Sequence, residues 1–210
     1  MNPTATAAST IARAVRFTAT EVTADGTFEG YASVFNVVND HREIVLPGAF
    51  VDTLAEHQTA GTRVKGLWQH RTHEPIIVWD DLSEDSKGLR TKGRLVLDVA
   101  RAREALALMK AGAIDGLSIG FAPIVEECLD APSITERYGI VPDGPGNARD
   151  QYVLLHKCWL GEISLVTFPS CGPATVDTVR RKPAAAPPAA DIERLARAIA
   201  RRDRLIAGVA

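Results

Sequence analysis

The segment Gly116-Leu117-Ser118-Ile119-Gly120-Phe121-Ala122-Pro123-Ile124-Val125 constrains the fold more than any other stretch of the chain. Its G-x-S-x-G start matches the nucleophile elbow of α/β-hydrolases, in which a serine sits on a sharp turn between a strand and a helix. The residues after Ser118 alternate, include β-branched side chains and contain Pro123, so they read as a strand that runs on past the serine. An elbow needs a helix there. An α/β-hydrolase would also want strands alternating with helices of roughly 10 to 15 residues. It would use His156 as base and Asp130, Asp143 or Asp150 as acid, and the chain shows no such alternation.

Strand patterns dominate elsewhere. Val15–Val22 and Phe28–Val38 flank the turn Ala24-Asp25-Gly26-Thr27 and predict a β-hairpin; Val64–Gln69, Ile76–Trp79 and Leu89–Leu97 predict further strands, with Ser83–Gly88 as a polar turn. Strand character returns at Gln151–Leu155 and again at Trp159–Phe168. Helices are few. Ala49–Gln58 is a short one, and Ala102–Ala111 places Ala105, Leu106, Leu108 and Met109 at helical spacing before Gly112, a suitable C-terminal cap. Leu129–Arg149, rich in Pro, Gly, Asp and Asn, reads as a long exposed loop. Many strands, short turns and few helices predict a β-rich α+β fold: an antiparallel or mixed β-barrel surrounded by a few helices.

At 210 residues and 46% hydrophobic content, the chain can bury one sizeable core. The expected organisation is a flexible arm over 1–13, one domain over 14–181, an Ala/Pro linker over 182–190 and an amphipathic helix over 191–210. In that helix Ile192, Leu195, Ile199 and Ile206 share a stripe. A net charge of −2 provides no general reason to bind nucleic acid. No apolar run approaches the roughly 18 residues of a membrane span, and Met1–Thr10 has neither the basic start nor the apolar run of a secretory signal. Cys128, Cys158 and Cys171 are odd in number and lack C-x-x-C spacing, so each reads as a free, mostly buried thiol in a reducing compartment. His156-Lys157-Cys158 lacks the further ligands a zinc site needs, and no metal or cofactor is expected.

Ser118, His70 and Glu162 supply a hydroxyl, an imidazole and a carboxylate in the chain order His, Ser, acid. A serine becomes a good nucleophile when an imidazole takes its proton and a carboxylate holds that imidazole in place. Each residue also has a plainer reading. The glycines around Ser118 can mark a bulge or a close backbone approach, and His70 on an apolar strand can be a core histidine satisfied by a carbonyl. Glu162, among Ile163, Leu165 and Val166, would be costly to bury without a cationic or hydrogen-bonding partner, a demand a histidine meets.

Three blocks resemble the prohead (capsid maturation) proteases of tailed bacteriophages, a family similar in fold to the herpesvirus assemblins. The first is Gly30-Tyr31-Ala32-Ser33-Val34-Phe35 with Asp40 and Glu43-Ile44-Val45-Leu46-Pro47-Gly48-Ala49-Phe50. The second is Leu67-Trp68-Gln69-His70 with Pro75-Ile76-Ile77-Val78 and Gly88-Leu89. The third is Asp115 to Phe121, closed by Glu162 to Val166 with Pro169 and Ala174, so that the likeness spans about residues 14–180. The resemblance implies a serine endopeptidase with Ser118 as nucleophile, His70 as base and Glu162 as third member, His156 being the fallback and His73 a rival base outside the block. It implies a substrate too: scaffolding protein or the scaffold-like segment of the major capsid protein, cut inside the immature capsid in the bacterial host's cytoplasm, together with self-cleavage. A homodimer and a C-terminal helix that docks on scaffold or capsid protein fit the same picture. The competing expectations are a non-enzymatic assembly or scaffold protein and an α/β-hydrolase-type esterase.

Overall fold

A computed structural model describes residues 22–142 and 151–171. The expected arm, the Ala/Pro linker, the C-terminal helix and all but the last residue of the Val15–Val22 strand lie outside the described residues. Within them, β1 (Thr27–Val34), β2 (Glu43–Val45), α1 (Val51–Thr59), β3 (Lys65–Trp68), β4 (Arg71–Glu84), β5 (Gly88–Leu95), α2 (Ala100–Ala111), β6 (Gly116–Asp130), α3 (Ala131–Tyr138) and β7 (Gln151–Val166) occur in that order.

All seven strands join one sheet in the order β1-β5-β4-β3-β7-β2, with β6 also on β7. β2 and β3 run parallel to β7, and the remaining ladders are antiparallel. The sheet curls into a half-barrel, and among the described residues β1 and β6 form no ladder with each other. This is the β-rich, mixed-sheet architecture that the strand patterns predict, in an open form.

Period-two patterning builds it. In β5, Leu89, Thr91, Gly93 and Leu95 face inward while Arg90, Lys92 and Arg94 face out. Ala102, Ala105 and Met109 bury one stripe of α2, which ends at Gly112 with φ 69°, the left-handed cap its glycine predicts. In β1 the register shifts between Tyr31 and Ser33, so Ser33 and Val34 are both buried after the bulge.

Several expectations are corrected. The Leu129–Arg149 segment is not one loop. β6 runs to Asp130, whose side chain accepts a hydrogen bond from the Ser133 amide at 3.0 Å and caps α3. Ile134 of α3 then packs among Ile44, Leu46, Tyr152 and Leu154 in a small second core. The two strands expected after residue 150 are the single strand β7, because the polar His156-Lys157 pair is bracketed by buried Leu155 and Cys158. Of the thiols only Cys158 is buried; Cys128 is exposed and Cys171 lies between. Burial pushes the Cys158 thiol up to about 12, helped by the Glu43 and Glu126 carboxylates.

Candidate active site

β6 and β7 present two faces. Leu117 lies opposite Leu165 and Ile119 opposite Ile163, and these residues pack on the main core. On the other face Ser118 lies opposite Ser164 and Gly120 opposite Glu162. Directly opposed residues of an antiparallel pair share a face, so the alternation that builds the core also gathers Ser118, Ser164 and Glu162. One further irregularity aims the carboxylate: Gly120 pairs with Glu162 while Phe121 pairs with Leu160, so Gly161 is the extra residue of a β-bulge immediately before Glu162. Helix α1 holds that bulge. The Leu160 amide donates to Thr53 Oγ1 at 3.1 Å, and Leu160 O accepts from His57 Nε2 at 2.9 Å.

Gly120 explains half of the G-x-S-x-G pattern. A Cβ there would lie 2.3 Å from Glu162 Oε1, so the glycine vacates the space in which the carboxylate lies. It marks close packing of a side chain, not a strand-to-helix elbow.

His70 arrives from β3, which lies beside this part of β7 with Leu67 next to Ser164. Trp68 pairs with Arg71, leaving Gln69 and His70 as a two-residue hairpin turn with φ of 52° and 58°. Two positive φ values are the mark of a type I′ turn, usually made by Asn-Gly, and are strained for Gln-His. β7 and Thr167, the residue after it, clamp the turn: Gln69 N donates to Leu165 O at 3.0 Å, Gln69 Nε2 to Thr167 Oγ1 at 2.9 Å, and His70 N to Ser164 Oγ at 3.0 Å. The ring is thereby set against Glu162, with Nδ1 2.5 Å from Oε1. Ser164 Oγ donates to Oε2 of the same carboxylate at 2.7 Å.

Because the carboxylate only accepts, Nδ1 carries the proton and Nε2 is left as the free nitrogen. The Glu162 hydrogen bond raises the His70 pKa above its ordinary value, burial opposing it and the carboxylate's charge adding to the rise. The His70 side chain is 45% exposed and that of Glu162 only 16%, so the imidazole is accessible and its partner shielded. We expect Gly120→Ala to displace the carboxylate and let the His70 titration midpoint, followed by NMR, fall back toward about 6.5; an unchanged midpoint would contradict this packing argument.

Ser118 and His70 line one cleft of about 530 Å³. Ala32, Ser33 and Val34, the bulge and the end of β1, form part of its wall, and Asn39, His41 and Glu43 supply polar groups. Of the sequence candidates, Ser118, His70 and Glu162 are thus brought together. His156 is not with them: it faces Glu127 at 3.5 Å, beside Tyr138, and borders a separate surface depression with Pro47 and Lys157. His73 is exposed on β4, Asp130 caps α3, and Asp143 and Asp150 lie outside the described residues. Sequence reasoning misses Ser164 as a site residue, although its period-two spacing from Glu162 places both on one face. Among the described residues no group of three or more His, Cys, Asp or Glu side chains could hold a metal ion, and no helix is long and apolar enough to cross a membrane.

Comparison with known proteins agrees with the resemblance carried by the three blocks. The model of the caudovirus prohead serine protease family matches residues 13–187. Over 166 residues the chain is 36% identical to the prohead protease of Enterobacteria phage HK97, an alignment covering 76% of this chain; the chain spans 65% of that relative's length. Superposition on the bacteriophage T4 capsid assembly protease gives a TM-score of 0.44 at 13% identity, over 67% of this chain and 82% of that one. With a profile match over most of its length and the blocks in their expected order, the chain belongs to the caudovirus prohead serine protease family.

Proposed function

We propose that this protein is a serine endopeptidase of capsid maturation, acting inside the immature capsid in the host cytoplasm. Its substrates are scaffolding protein or the scaffold-like segment of the major capsid protein, and itself. The observation that carries the chemistry is the His70 Nδ1–Glu162 Oε1 hydrogen bond at 2.5 Å beside a cleft that Ser118 also lines.

His70 Nε2 takes the Ser118 proton as Oγ attacks the peptide carbonyl. The imidazolium so formed is stabilised by Glu162 and returns the proton to the departing amine as the C–N bond breaks. Water, deprotonated by the same nitrogen, then hydrolyses the acyl-serine ester and restores the hydroxyl. A general base must be neutral, and Glu162, by accepting from Nδ1, leaves Nε2 as the basic nitrogen of the neutral ring and supports the imidazolium once it forms.

Family membership supports the capsid setting, and the relative's name, prohead protease, supports the substrate class. The homodimer belongs to the proposal on the resemblance alone, and the docking role of residues 191–210 on the Ala/Pro linker that precedes them in the sequence. An elbow-type esterase finds no support in a sheet whose ladders are mostly antiparallel and whose Ser118 lies within β6, two residues after that strand begins.

The test is intact-mass analysis of capsid and scaffold proteins co-expressed with wild type or with Ser118→Ala. Defined truncations should form with wild type and vanish with the variant. Identical masses with folded variant and wild type would instead favour a non-enzymatic assembly protein.

A further inference from the structure

We infer that Ser164 is a positioning residue, its hydroxyl holding the His70 backbone and the Glu162 carboxylate in one frame; the inference rests on reading Ser118, His70 and Glu162 as the catalytic trio. Ser164 is fully buried at 0% exposure in a strand whose neighbours Ile163, Leu165 and Val166 are also buried. A polar group in such a place is costly unless its hydrogen bonds are made, so an apolar residue would be the default. Here both capacities of the oxygen are used. It accepts from His70 N at 3.0 Å and donates to Glu162 Oε2 at 2.7 Å.

Each bond removes one freedom that would blur the site. A glutamate's terminal torsion is broad, and tying down Oε2 leaves Oε1 directed at Nδ1. The second bond acts on the backbone. His70 sits at φ 58°, a conformation that persists in a residue with a side chain only where the surroundings over-determine it. The bond from its amide fixes the Cα from which the ring projects. Because Ser164 also lies directly opposite Ser118, one position on β7 references all three groups. A plainer role, satisfying the turn amide and nothing more, predicts lost stability without any change at the imidazole.

The test uses the full-length chain and a fluorophosphonate, which phosphonylates an activated serine with loss of fluoride and needs no knowledge of the cleavage site. The labelling rate at Ser118 is read by mass as a function of pH, and the His70 ring is titrated by NMR. Outer partners that orient metal-binding side chains typically matter by about 10- to 100-fold, and the same scale is expected of a group that orients an imidazole and its carboxylate. Ser164→Ala is expected to label that much more slowly, with the His70 midpoint shifted toward its ordinary value, and Ser164→Thr, which keeps the hydroxyl, to recover most of the rate. Should Ser164→Ala not yield folded protein, Ser164→Cys, a weak donor and acceptor of similar shape, is expected to label as slowly. Labelling at the wild-type rate with an unshifted midpoint overturns the inference, as does a slow variant whose midpoint is unshifted and which threonine does not rescue. Failure of wild type to label at Ser118 removes the underlying trio as well and is distinguishable from both.

Discussion

Replacing His70 with alanine is expected to slow cleavage by on the order of 10⁶-fold, about as much as replacing Ser118, and the double replacement is expected to cost little more. Groups that act as one unit are non-additive: without the base the hydroxyl stays protonated, and without the hydroxyl the base has nothing to activate. Product formation measured by mass for both single variants and the double checks this. If the two losses multiply, the residues act independently and the coupled mechanism fails. A second histidine, His41, also lines the cleft. The Nδ1–carboxylate contact belongs to His70, so His41→Ala is expected to retain most activity. A reversal of the two phenotypes would transfer the base to the segment before β2.

Glu162→Gln is expected to lower turnover by roughly 10⁴-fold, the scale on which losing the orienting acid of such a trio acts. A neutral amide neither stabilises the imidazolium nor enforces the proton on Nδ1. The pH dependence separates this from simple misfolding. Glu162 raises the His70 pKa, chiefly through their hydrogen bond. Its removal should therefore move the acid limb of the kcat/KM profile to lower pH while the plateau falls. Stability should obey the same linkage. A folded pKa above the unfolded value contributes stability that is fully present below the unfolded value, about 6.5, and is lost as pH rises through the raised folded value. Glu162→Gln should thus destabilise the protein more in mildly acidic than in alkaline solution. A uniform loss across pH, with an unmoved acid limb, would show that Glu162 acts structurally and not through the imidazole.

Much of this was legible in the chain because its strands write their own periods. Leu89 to Leu95 alternates so regularly that inward and outward faces can be assigned directly, and Gly112 announces the end of α2. The continuation of strand pattern past Ser118 rightly separated it from an elbow serine. Other features were hidden for physical reasons. α3 was obscured by the proline and aspartate that help start it, residues that read as loop until Asp130 is seen capping the Ser133 amide. The β3–β4 turn was hidden because Gln69-His70 lacks the glycine that normally signals two positive φ values; tertiary hydrogen bonds from β7 override the local preference. Gly120 was visible as part of a motif, but its purpose, room for the Glu162 carboxylate, depends on a strand more than thirty residues away and so on pairing that no local pattern contains.

The placement of β7 has a consequence for timing. This strand, the last of the described strands in chain order, pairs with β2, β3 and β6, and it carries the carboxylate, the clamp on the histidine turn and the residue facing Ser118. A ribosome emits those residues after every other described strand has been made. Until they dock, β6 lacks its neighbour and the strained turn before β4 lacks its tether, so a partly synthesised chain holds a serine and a histidine with no geometry between them. Parallel pairing to β3 across nearly a hundred residues is slow to close by its topology. The interval between synthesis and competence for the proposed chemistry is therefore built into strand order, since the trio is assembled only once the strands that carry it have paired.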